Sequence, residues 1–129
     1  MNTTTFRINW DTVSRLFIGA LFIFAGVDKL RTFEATSGYI DSVLGTGSAT
    51  PVVTGLVIFV EIVVAAVYIW GKWRRDACAY ILIAFTALAT VIFHNNFQIP
   101  LNVIMSLKNL AIIGGLIATL GAVHAKRSN

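Results

Sequence analysis

Two charges stand alone inside long apolar stretches, and any chemistry in this chain starts with them. Glu61 interrupts the stretch 52–70, and Lys108, followed by Asn109, interrupts 99–123. An isolated charge in hydrocarbon costs several kcal/mol unless it is paired or hydrated. At helical rise, Glu61 lies about 13 Å in from Val52 and Lys108 about 10 Å in from Leu101, so the two sit at similar depth. A Glu61–Lys108 ion pair, or a hydrogen-bonded neutral pair, is the expected way to hold both. Such a pair either fixes helix register or serves function, because a carboxylate of this kind can take up and release protons.

Other polar residues recur at helical spacing. Thr86, Thr90 and His94 follow one another at steps of four, and His94-Asn95-Asn96 opens the next turn. Asn102 and Asn109 are seven apart, as are Thr54, Glu61 and Tyr68. Arg15, Gly19, Phe22, Gly26 and Lys29 recur at steps of four, three, four and three and share one face. Two glycines there let a neighbouring backbone approach closely. With these stripes turned inward, the outer half of a helical bundle gathers Lys29, Glu61, His94, Asn95, Lys108 and Asn109. Glu61 and His94 are then the candidate proton relay. Arg15, Lys29, Glu61, His94, Asn95, Lys108 and Asn109 are the candidates for binding a substrate or cofactor. The competing reading is a packing seam whose charged ends snorkel to the membrane surfaces.

Several chemistries are excluded. His94 and His124 fall at opposite ends of their helices and cannot ligate one haem. No metal-ligand spacing or glycine-rich phosphate loop is present, so neither haem nor metal is expected within the chain. Cys78 is the single cysteine, which rules out an internal disulfide and suits a small apolar filler. Electron transfer would need a bound quinone, a substrate or a partner's cofactor.

The elements that must position these residues follow from composition. Of 129 residues, 57% are hydrophobic and 12% charged, and the mean hydropathy is +0.78. A soluble domain would carry about a quarter charged residues. The expectation is an all-α membrane protein, a single domain over 1–129 built as a four-helix transmembrane bundle. Its spans cover about 11–30, 52–70, 77–93 and 99–123, each close to the roughly 20 residues that cross a bilayer. Pro51 and Pro100 stand where proline starts a helix without losing a hydrogen bond. Phe33, Thr36, Ile40, Val43 and Leu44 give the segment 32–44 an apolar face, expected to lie on the outer membrane surface. A cleavable signal peptide is the alternative for the first span, but Asp28, Lys29, Arg31 and Glu34 would stand before its cleavage site.

Charge also orients the chain. The formal charge is +4 without any basic run suited to nucleic acid, so no nucleic-acid partner is expected. Arg7, Arg15, Lys72, Arg74, Arg75, Lys126 and Arg127 fall on one side of four spans and hold seven of ten cations. Both termini are therefore expected in the cytoplasm, with the chain in the inner or plasma membrane.

The run Arg15-Leu16-Phe17-Ile18-Gly19 through Phe24-Ala25-Gly26-Val27-Asp28-Lys29-Leu30 resembles the first helix of the DoxX family. Glu61, Gly71, His94-Asn95, Leu107-Lys108-Asn109-Leu110 and Gly114-Gly115 extend the likeness in order along almost the whole chain. The resemblance implies a four-helix membrane protein. It further implies a component of a quinone-linked redox system, with sulfur-compound or oxidative-stress chemistry, acting with partners in a membrane redox complex or as a homo-oligomer. Two other classes stand beside it: a small proton-coupled solute transporter using Glu61, and a non-catalytic membrane scaffold using the glycine seam and the Lys72–Arg75 loop.

Overall fold

The computed structural model describes residues 8–128, apart from the side chains of Lys126 and Arg127. Arg7 thus lies outside the described residues, as do the side chains of Lys126 and Arg127, the other two orienting cations concerned. Helix α1 covers Trp10–Arg31, opened by the Asn9 side chain accepting the Thr12 N–H at 3.3 Å. Helix α2 is Phe33–Leu44, α3 is Gly47–Trp70, α4 is Arg75–Phe93 and α5 is Pro100–Arg127. Pro51 lies in the first turn of the α-helical part of α3 and Pro100 opens α5, where the missing N–H is not needed. No strand occurs among the described residues.

Helices α1, α3, α4 and α5 form an antiparallel bundle. Helix α1 packs on α3 and α5, and α4 packs on α3 and α5 from the opposite side. Large apolar side chains such as Phe17, Phe24, Leu88 and Leu107 remain exposed on its exterior. So much apolar surface in contact with water would drive association, whereas a bilayer solvates it. Among the described residues three helices, α3, α4 and α5, are long and apolar enough to cross a membrane. Helix α1, with charges at both ends, joins them by packing.

Without a hydrophobic drive between helices in lipid, close contact and internal polar bonds must hold the bundle. The half near the termini has both. Phe22, Tyr68, Leu82, Leu116 and Leu120 are buried together, and the Tyr68 and Thr119 hydroxyls hydrogen-bond at 2.8 Å. Arg15 donates to Asp11, to the Tyr68 carbonyl at 3.3 Å and to the Ile69 carbonyl, neutralising the partial negative charge at the end of α3. Arg75 donates to Asp11 and, at 3.0 Å, to the Thr119 carbonyl. One carboxylate thereby joins two guanidinium groups and ties α1, α3, α4 and α5 together at this end.

At the opposite end the helices diverge. The Thr50–Phe59 half of α3 packs against α1 and α2, while its later turns pack against α4. Helix α2 covers the resulting gap. Ile40 is 4% exposed, so at this position the bundle meets the apolar face expected on the membrane surface. The same one-sided apolar pattern serves a helix laid on lipid or on protein, and here α3 and α1 supply the surface.

Candidate functional site

Between the diverging helices lies a cavity of about 460 Å³, walled by all five helices. Most of its wall is apolar, with Phe22, Ile40, Val57, Phe85 and Ile112 contributing from different helices. Lys29, Glu61, Thr86, His94, Lys108 and Asn109 supply the polar groups.

Glu61 sits in a π turn, Val60–Val64, within α3. Such a turn inserts an extra residue into the helix and often marks a functional site. Helix α1 meets it at Gly26, where a Cβ would lie 2.6 Å from Ile62 Cγ1 and 2.9 Å from Glu61 Cβ. Only a residue without a side chain permits that approach. One turn on, Lys29 Nζ donates to Glu61 Oε1 at 2.9 Å. The Glu61 side chain is 7% exposed and that of Lys29 31%. The second carboxylate oxygen, Oε2, is buried with no hydrogen-bond partner.

The Lys29 contact corrects the expected Glu61–Lys108 pair. Lys108 is exposed, borders the same cavity and acts on Glu61 only through space. Depth along the helices matched these two residues, but α1 rather than α5 lies against the π turn at that level.

Helix α4 lines the other side. Thr86 and Thr90 direct their hydroxyls to the carbonyls of Leu82 and Thr86, both at 2.7 Å. Asn109 Nδ2 donates to Thr90 Oγ1 at 2.8 Å, joining α5 to α4. His94 ends α4 with its N–H on the Thr90 carbonyl, and its own carbonyl accepts from Ser106 at 3.1 Å. Its Nδ1 is buried without a hydrogen-bond partner, a second unsatisfied atom at the cavity. Buried polar atoms normally find partners, so two orphans at one cavity point to a ligand or water as their complement.

Five candidates therefore come together: Lys29, Glu61, His94, Lys108 and Asn109. Asn95 is exposed in the α4–α5 turn, and it is absent from the cavity wall. Arg15 lies at the far end of the bundle in the Asp11 network. Among the described residues no three His, Cys, Asp or Glu side chains converge in a metal-binding group.

The cavity wall contributed by α2 escaped the sequence reading. Thr36, Tyr39, Ile40 and Leu44 face the cavity, and Ser37 and Thr54 share a hydroxyl hydrogen bond at 2.9 Å. The Tyr39 ring lies 5.6 Å from that of Phe93 on α4. Where α2 turns into α3, Asp41 Oδ1 accepts from the Gly47 N–H at 2.6 Å and the Thr50 hydroxyl at 3.0 Å. These two donors, the Gly47 N–H foremost, hold the Asp41 carboxyl below its ordinary range.

A family model described as DoxX matches residues 11–95. The chain is also 32% identical over 105 residues to the inner membrane protein YqjF of Escherichia coli (strain K12), covering 81% of this chain and 77% of that protein. No solved structure matches it.

Proposed function

We propose, from the premise that this chain belongs to the DoxX family of integral membrane proteins, that its cavity binds the head group of a membrane quinone within a redox assembly. The observation that carries the reading is the pair of unsatisfied buried atoms, Glu61 Oε2 and His94 Nδ1, in a cavity that is otherwise mainly apolar. Its volume falls in the range of small-molecule sites, about 300–1,000 Å³, where apolar walls and a few polar groups fix orientation.

A quinone supplies two-electron, two-proton carriage when bound. The apolar wall holds the ring and the first part of the tail. The Lys108 ammonium and His94 Nδ1, as an N–H, donate to oxygens of the head group. Glu61 exchanges protons at Oε2 while Lys29 keeps Oε1 in place. The electrons come from a separate donor, a partner's cofactor or a reduced sulfur compound. The cation distribution supports placing the α2 end outside and both termini in the cytoplasm. The YqjF relative supports an inner-membrane location.

The test is mass spectrometry of lipids retained by protein purified in native-lipid discs, beside Glu61→Gln and Lys108→Met. Stoichiometric quinone in the wild type and its loss from both variants is expected. Equal traces in all three would end the reading. The buried Glu61 carboxylate also favours a second reading, proton-coupled transport. That reading calls for pH-gradient-driven solute flux in proteoliposomes, abolished by Glu61→Gln.

A further inference from the structure

Helix α2 is attached unevenly. Its packing is on α3 and α1. The Ser37–Thr54 bond reinforces the contact with α3, and Asp41 holds the corner into α3. Across the gap toward α4 the bridge is the Tyr39–Phe93 ring contact. The two ends of α2 are joints. Thr32 breaks the helix from α1 with φ −108° and ψ 35°, and Gly45 and Gly47 both have positive φ, at 62° and 55°. Glycine reaches such angles without strain, and the Asp41 bonds hold the turn, so the corner forms the pivot by which α2 rests on α3. The cavity lies directly beneath, with Tyr39, Ile40 and Leu44 in its wall.

Several residues border both the cavity and the exterior. Tyr39 is 53% exposed and Leu88 is 61% exposed, yet both line the cavity. Leu88 lies five residues before the end of α4, so about 8 Å inside the helix, among the side chains that face lipid. An opening bordered by such a residue leads to hydrocarbon rather than to water.

We propose that α2 is a hinged lid, latched to α4 by Tyr39 on Phe93, and that the ligand of the cavity is a tailed amphiphile admitted sideways from the leaflet on the α2 side. The amphiphile class rests on the function proposed above; the lid stands on the packing alone. Closed, the aromatic pair fills the gap between α2 and α4. Open, the gap exposes the apolar wall to lipid, and a tail can stay in the membrane while the head group reaches Glu61 and His94.

The test places a reporter thiol in the cavity wall, Ala89→Cys in a Cys78→Ala background, in proteoliposomes. Its reaction is followed with N-phenylmaleimide, which partitions into lipid, and with the sulfonate-bearing methanethiosulfonate MTSES, which does not. Tyr39→Ala, which removes the latch, is expected to speed the maleimide reaction roughly tenfold, the scale of losing one aromatic pair. Tyr39→Phe keeps the ring and should keep the slow rate, and the MTSES rate should stay low throughout. Equal maleimide rates in the parent and in Tyr39→Ala would overturn the lid, and faster reaction with MTSES than with maleimide would overturn sideways access. Added decylubiquinone is expected to protect the thiol. A latch-dependent rate without protection would sink the quinone reading and leave the lid standing.

Discussion

Replacing Lys29 by Met tests the ion pair at the centre of the site. At 2.9 Å and an effective dielectric of about 20, the attraction between Lys29 and Glu61 is roughly 6 kcal/mol. Desolvation of Glu61 opposes it, and the 31% exposure of Lys29 screens it, leaving a net of about 2 kcal/mol. Lys29→Met should therefore lower stability by about that much, because a buried carboxylate loses its cation. Glu61→Gln removes the charge that needs the cation. The double variant should then be far less destabilised than the sum, with a coupling of about 1–2 kcal/mol. Lys108→Met combined with Glu61→Gln should couple by less than the Lys29–Glu61 pair, since Lys108 acts on the carboxylate through space without a direct contact. The assay is reversible unfolding in mixed detergent–SDS micelles, followed by circular dichroism and tryptophan fluorescence. A Lys108–Glu61 coupling larger than the Lys29–Glu61 coupling would refute the pairing and the helix order behind it.

Gly26→Ala should cost about 1–3 kcal/mol, because the new methyl meets Ile62 and Glu61 at the π turn. Gly55→Ala, whose Cβ meets nothing within 4 Å, should be neutral or slightly stabilising in the same unfolding assay. Folding lowers the Asp41 pKa below 3.8, so its ionised carboxylate stabilises the α2–α3 corner fully above that value and progressively less as pH falls through the depressed one. The thermal midpoint of the wild type should thus drop more than that of Asp41→Asn between about pH 6 and pH 3; identical drops would contradict the contact. Arg15→Lys should destabilise nearly as much as Arg15→Met, because an ammonium cannot reproduce the fork that reaches Asp11 and two carbonyls of α3 at once. Full stability of the lysine variant would show that charge alone suffices there.

The inward faces were legible because helical periodicity is a local property. Arg15, Gly19, Phe22 and Gly26 are all buried on α1, as are Thr54, Glu61 and Tyr68 on α3. The gathering of Lys29, Glu61, His94, Lys108 and Asn109 follows from those faces turning toward one axis. The π turn was not legible: nothing in the spacing around Val60–Val64 marks it, and it forms where α1 packs against α3 at Gly26.

The sequence by itself determined that this is an all-α membrane protein with a buried carboxylate, because apolar length, proline position and residue spacing act within single helices. Only the tertiary structure decided that Glu61 takes Lys29 rather than Lys108, that Arg15 serves the far end of the bundle, and that α2 roofs a cavity. The physical reason is that spacing along a helix fixes which side chains share a face. Which faces meet depends on contacts between segments far apart in the chain, where a close approach such as Gly26 on the π turn selects one neighbour over another.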